Sequence, residues 1–255
     1  MTSISLPRSG KGWLLEHLTW LEAEPVLTPA ALVVIPIGAA AKEHGPHLRL
    51  NNDWTLAEYL TRRVLDAVPV VVAPPLGYHY YPAFVEYPGS ITLRLETVWD
   101  FMIDICMSLA AFGPRRFYAL NTGVSTVRAL RPAADALAAR GVLLRYTDVQ
   151  AVGRNAVDGV QQQAGGTHAD EIETSLMLYV APDAVDMGKA ALDYRPGQGR
   201  LTRNAEGDGI YSPTGIYGDA RLATREKGRI VAEAMVSGIV SDITRLRDAP
   251  LPVPL

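Results

Sequence analysis

The chain has one cysteine, Cys106, in 255 residues, which excludes an internal disulfide and any cysteine-rich zinc site. It has no excess of basic charge: 24 Lys and Arg stand against 27 Asp and Glu, giving a formal net charge of -3. A pI near 6.0 leaves no field suited to a phosphate backbone, so nucleic acid is not an expected partner. No window approaches the roughly 20 consecutive apolar residues of a membrane span. The start, MTSISLPRSGKG, carries no apolar signal core, and a cytoplasmic protein with no membrane partner is expected. Internal repeats are absent too. What is present is 48% hydrophobic composition, enough for one large α/β domain over residues 1–255.

The most informative stretch is Gly38–Asp53, GAAAKEHGPHLRLNND, which follows the apolar run Leu32–Ile37. The run reads as a buried strand, and parallel sheets present their chemistry in the loops beyond the carboxyl ends of strands. Lys42, Glu43, His44, His47 and Asp53 all fall in this loop. His44 and Asp53 are nine residues apart, so only a folded loop brings them together. A histidine nitrogen and a carboxylate oxygen then suit a zinc-like or manganese-like ion. The alternative, a hydrogen-bonded Gly-Pro-rich connection without metal, stays open on spacing alone.

Along the chain, residues 13–21 show helical spacing of Trp13, Leu14, Leu18 and Leu21. Leu56, Leu60 and Val64 predict a helix capped by Asn52 or Asp53, whose carboxylate would sit at the positive helix end. Strands are predicted at Val70–Ala73, Ile91–Leu93, Arg116–Leu120 and Val142–Tyr146, with helices at Glu96–Phe112, Val127–Arg140 and Ala223–Arg247. This alternation predicts βαβ units and a mostly parallel sheet flanked by helices. The aromatic segment Pro74–Ser90 suits a pocket wall or a subunit contact, and the irregular stretch Asp193–Asp219 a surface excursion covering the site. Cys106 reads as a small buried apolar residue. In THADEIETSLML, Thr167 looks like a helix start, which would place His168 and Glu171 on one face of the first turn.

These segments resemble a known family. IPIGAAAKEHGPHLRLNND is similar to the PxGSxEQHGPHLPLxxD signature of the creatininase (creatinine amidohydrolase) family, and THADEIETSLML with PDAVDM to its HAGExETSLML segment. GIYGDARLATREKG and PGSITL also resemble family elements. The resemblance implies a creatininase-like α/β fold, closed homo-oligomers that are often hexamers, and a metal centre hydrolysing C–N bonds of cyclic amides or formamides. It further implies two ions bridged by the residue at Asp53. One set of ligands is matched by His44, Asp53 and Glu171 and the catalytic histidine by His168. The other set is not matched: Lys42 stands at the expected glutamate, and Gly123 or a neighbour in NTGVST where a histidine is expected. Loss of both private ligands implies one ion per chain rather than two, with the Lys42 ammonium standing where the other cation stood and counted beside His168 among the catalytic candidates. Glu43 remains a candidate ligand, since the loop is one residue longer than the usual form.

The expected chemistry is therefore metal-dependent hydrolysis of a small amide, lactam, cyclic imide or formamide, using zinc or manganese, with iron admissible. The ion would acidify a water that attacks the carbonyl, and His168 would move the proton to the leaving nitrogen. His47 reads as a residue that orients a ligand. Two rivals accompany this reading. One takes Ser125 as a nucleophile with His168 as base, although GVST lacks the second glycine of G-x-S-x-G. The other is a non-catalytic ligand-binding or assembly protein on the same fold.

Overall fold

The computed structural model describes residues 8–254. The opening segment 1–7, read above as lacking a signal core, and residue 255 lie outside the described residues. In chain order the central elements are β1 (Trp13–Leu14), α1 (Trp20–Ala23), β2 (Leu32–Ile37), α2 (Asn52–Ala67), β3 (Val71–Val72), α3 (Leu95–Ala110), β4 (Arg116–Asn121), α4 (Val127–Ala138) and β5 (Leu143–Tyr146). After these come α5 (Arg154–Val160), α6 (Glu171–Val180), the short strands β6 (Leu192–Asp193), β7 (Leu201–Thr202), β8 (Ile210–Tyr211) and β9 (Gly218–Asp219), and α7 (Arg225–Asp248). The main sheet has the order β1-β3-β2-β4-β5 and every pairing in it is parallel.

Both faces of that sheet are covered, which is why β2 reads as a continuous apolar run rather than an alternating one. Alternation is still present, in the destinations of the side chains. Leu32 and Val34 of β2, with Tyr118 and Leu120 of β4, pack beneath α2, α6 and α7. Val33, Ile35 and Ile37, with Phe117 and Ala119, pack against α3 and α4. Each strand thus feeds two hydrophobic layers, and Cys106 is buried in the second, as expected. No helix of the described residues is long and apolar enough to cross a membrane.

Three local expectations change. The predicted helix at 13–21 is an edge strand, Trp13 pairing with Val71 and Leu14 with Val72, followed by only a four-residue helix at Trp20–Ala23. The open edge of β3 offers ladder hydrogen bonds that a short isolated helix cannot match. Ile91–Leu93 forms no strand; its backbone is tied instead to Ala41 and His79. Thr167 does not begin α6. Asp170 does, its carboxylate accepting from the Ile172 and Glu173 amides.

Candidate metal-binding active site

The carboxyl ends of β2 and β4 lie side by side, Ile37 opposite Asn121, and the loops leaving them build the site. Two contacts hold the start of α2 against the ends of β2 and β4. Gly38 lies so close to Asp53 that a Cβ would stand 2.4 Å from the Asp53 carbonyl oxygen. Thr122, just past β4, donates its hydroxyl to the same carbonyl at 3.0 Å. Asp53 is therefore held in the first turn of α2, with Asn51 rather than Asn52 or Asp53 at the cap position.

The two histidines are oriented by what they give away. His44 Nδ1 lies 2.9 Å from the Lys42 carbonyl oxygen and must donate to it, since a carbonyl can only accept. In the neutral ring this leaves a bare Nε2, which faces Asp53 Oδ1 at 2.8 Å. His168 Nε2 likewise donates to the Glu43 main-chain oxygen at 3.0 Å and to its carboxylate at 3.1 Å. Its Nδ1 then turns toward Glu173 Oε2, 3.5 Å away. Ligand atoms of His44, His168 and Glu173 lie within 4.8 Å of one another. Two histidine lone pairs and the Glu173 carboxylate thus converge on one place, an arrangement that suits a proton or a cation among them, and Asp53 adjoins it through His44. Beside it, a cavity of about 30 Å³ bordered by Asn52, Asp53 and Glu173, but by neither histidine, has room for a solvent-sized species, and Asn52 Oδ1 is buried without a partner. The donor set of imidazole and carboxylate suits zinc or manganese.

Lys42 places its ammonium 2.7 Å from Asp53 Oδ2, a charge contact without hydrogen-bond alignment. The ammonium also lies 4.8 Å from the Phe84 ring centre and 5.6 Å from that of Tyr81. Burial alone would raise the Asp53 carboxyl, but Lys42 and His44 overcome that and hold it well below the usual range. Burial pushes Glu173 up to about 7, against the pull of His168 and Lys42, although about 24% of its side chain remains exposed at the cleft. His47 bonds Thr174 at 2.8 Å and is driven down to about 4, first by burial and then by His44, so it is neutral near pH 7.

Glu171, expected in the ligand set, stands elsewhere. Its carboxylate takes Lys227 Nζ at 2.5 Å and the main-chain amides of Gln162 and Gln163. The cause is where the helix starts. His168 lies before α6, in a bridge to Tyr217, and the chain turns at Ala169 with φ of 48°. Residues three apart share a face only when all are helical. Within α6, Glu171 and Glu173 are two positions apart, roughly 200° around the axis, so one faces α7 and the other the cleft. Glu43 is not in the three-residue cluster either; its carboxylate accepts from Gly45 and braces His168. It lies against Gly215 (φ 82°), where a Cβ would collide with the carboxylate.

The cleft over these groups has a volume of about 300 Å³ and is lined by Lys42, Phe84, Arg128, His168, Glu173 and Tyr217 among others. Phe84 packs on His168 with ring centres 4.1 Å apart, so the aromatic segment does supply a wall. Arg128 is exposed and has no carboxylate partner among the described residues. Sequence reading missed Glu173, Phe84 and Arg128. Glu173 was within reach, because Asp170 is a strong cap and a helix counted from it puts Glu173 opposite Glu171.

The sequence profile of the creatininase family, creatinine amidohydrolase, matches residues 16–243. The chain belongs to the creatininase family. It is 28% identical over 257 residues to the creatinine amidohydrolase of Pseudomonas putida, covering 91% of this chain and 96% of that one. It is also 28% identical over 230 residues to the mycofactocin precursor peptide peptidase of Mycobacterium ulcerans, covering 86% of each. A solved creatininase described as its manganese form superimposes with a TM-score of 0.76 at 25% identity, covering 91% of this chain and 97% of that one. The creatininase-like α/β fold expected from the motifs is thus the fold observed. Lys42 and Gly123, the two positions where the sequence lacks the expected ligands, both lie near Tyr81. A side chain at Gly123 would begin 3.0 Å from Thr126 and 3.2 Å from the Tyr81 ring, and Tyr81 is the ring under the Lys42 ammonium.

Proposed function

We propose that this protein is a metal-dependent hydrolase of a non-peptide C–N bond in a small amide, lactam, cyclic imide or formamide, using one divalent ion per chain. The observation that carries the reading is the pair of histidines whose N–H groups are spent on main-chain carbonyls, leaving bare nitrogens turned toward Asp53 and Glu173. His44, Asp53 and Glu173 would hold the ion. When bound, a zinc or manganese ion there supplies an acidified water and a Lewis acid for the substrate carbonyl. Lys42 offsets the charge of Asp53 from the opposite side and keeps it ionised. His168, fixed by Glu43, presents Nδ1 to carry a proton to the departing nitrogen. Phe84 covers the imidazole and limits solvent around it. The water oxygen ends on the carbonyl carbon, the C–N bond breaks, and the carried proton completes the amine.

The serine rival has less support, since Ser125 Oγ donates to the Tyr80 carbonyl at 2.8 Å and bonds no histidine. Membership of the family supports hydrolysis, while relatives named for creatinine and for a precursor peptide leave the bond to be tested.

The deciding test is metal content per chain by elemental analysis after purification without chelator, for wild type and His44→Ala, beside turnover of a panel of small amides. About one zinc or manganese per chain, lost in the variant, with chelator-sensitive turnover, is the expected result. Two ions per chain would mean that Glu43 or another group restores the other site. No ion would overturn the mechanism in favour of a binding protein.

A further inference from the structure

The cleft holds a cation whose hydrogen-bonding capacity the protein leaves largely unused. Lys42 is only 5% exposed, yet it lines the cleft together with Phe84, His168 and Glu173. Its ammonium has three N–H donors. On one side it meets Asp53 Oδ2 at 2.7 Å, and the rings of Phe84 and Tyr81 flank it at 4.8 and 5.6 Å. No main-chain carbonyl, hydroxyl or side-chain amide of the described residues accepts from it. Lys227, also largely buried, shows the contrast: its ammonium is bonded to Gln162, Glu171 and the Leu222 carbonyl. A buried charge is costly unless its donors are taken, so the open side of Lys42 calls for an acceptor that the fold itself does not supply. Asp53 ties this cation to the rest of the site, since its Oδ1 faces His44 Nε2 at 2.8 Å while Oδ2 faces Lys42.

We propose that Lys42 binds the oxygen of the scissile carbonyl and stabilises the oxyanion that forms on it, as a catalytic residue and not only as the counter-charge of Asp53. The proposal rests on the hydrolase reading and adds to it the group that receives the developing charge. The water oxygen bonds to the carbonyl carbon, and the electron pair of the C=O double bond moves onto the oxygen, which accepts a hydrogen bond from Lys42 without taking its proton. When the pair returns, the C–N bond breaks and the nitrogen leaves with the proton carried by His168. A charged donor already in place and largely closed to water is well suited to that charge.

The test titrates two probes into zinc-saturated wild type, Lys42→Met and Lys42→Gln. One is methylphosphonate, a tetrahedral anion; the other is imidazole, a zinc ligand that carries no oxyanion. The zinc Kd of each protein is measured by competition with a chromophoric chelator, and Lys42→Gln, which keeps a polar group at the position, covers misfolding of Lys42→Met. Methylphosphonate should bind the wild type and be weakened about 10- to 100-fold in the variants, the range for losing a hydrogen bond to a charged group. Imidazole should bind all three alike. Zinc should bind the variants at least as tightly, because the lost ammonium carried charge of the ion's own sign. Zinc-loaded wild type that ignores methylphosphonate, or variants that bind it as the wild type does, would overturn the oxyanion role and leave the hydrolase reading standing. So would parallel weakening of zinc, imidazole and methylphosphonate in the variants, the mark of a residue that only holds Asp53 in place. A wild type that takes up no zinc would remove the hydrolase reading and this proposal with it.

Discussion

Two glutamates on one helix turn have opposite employments, and substitution separates them. Glu173 faces the cleft, so Glu173→Gln should weaken zinc or manganese binding by about 10–100-fold with little loss of thermal stability. Glu171 is fully buried against Lys227 and two backbone amides, so Glu171→Gln should keep its metal but lose about 3 kcal/mol of stability by stranding a largely buried ammonium. Metal titration and denaturant unfolding of the two variants read these effects directly; the reverse assignment would show metal loss in Glu171→Gln. The loop sequence alone brought His44, Asp53 and Lys42 forward as candidates, and the fold places them in contact. Glu173 was not brought forward, because its orientation depends on the helix starting at Asp170, after a left-handed turn at Ala169.

The long helices follow apolar periodicity, and their joining follows charge. Arg63 of α2 grips Glu233 of α7 through two contacts of 2.6 and 2.7 Å, and Tyr179 of α6 reaches the same carboxylate at 3.2 Å. The hydrogen bonds from Arg63 pull Glu233 down to about 2 from 4.5. A lowered folded pKa contributes stability above the unfolded value, and that contribution disappears as pH falls from about 4.5 through about 2. Both side chains are about a third exposed, so solvent screening holds the effect near 0.5–1 kcal/mol. Glu233→Gln should therefore melt below wild type at pH 7 and converge on it near pH 2. A stability gap constant across that range would mean that the pair contributes packing rather than charge. Helices α2, α3, α4 and α7 were foreseen within a few residues, whereas β1 was misread as helix because its hydrogen-bond partner at Val71 lies nearly sixty residues away.

For the whole molecule, the ion and the fold should be thermodynamically linked. The proposed ligands come from the β2 loop, α2 and α6, so an ion held among them binds only the folded chain. At 100 times its Kd such an ion adds about 2.7 kcal/mol, or roughly 5–10 °C in Tm for a chain of this size. Chelator should lower Tm by that amount, added zinc or manganese should restore it, and His44→Ala should respond to neither. An identical Tm with and without chelator in the wild type would argue that His44 and Asp53 serve the fold alone. The surroundings favour the linkage, since the site sits at the ends of β2 and β4, where both hydrophobic layers anchor the strands that carry it.

The sequence by itself determined the alternation of strand and helix, the parallel sheet and the loop that carries Lys42, His44 and Asp53. Hydrophobic period and loop position are local properties, readable without knowing what packs against what. Only the tertiary structure decided that Glu173 rather than Glu171 faces the cleft, that Glu43 braces His168, and that Tyr81 fills the space beside Gly123 beneath the Lys42 ammonium. Those facts depend on the direction of side chains from different elements, fixed once the sheet and the helices on its two faces have closed on one another.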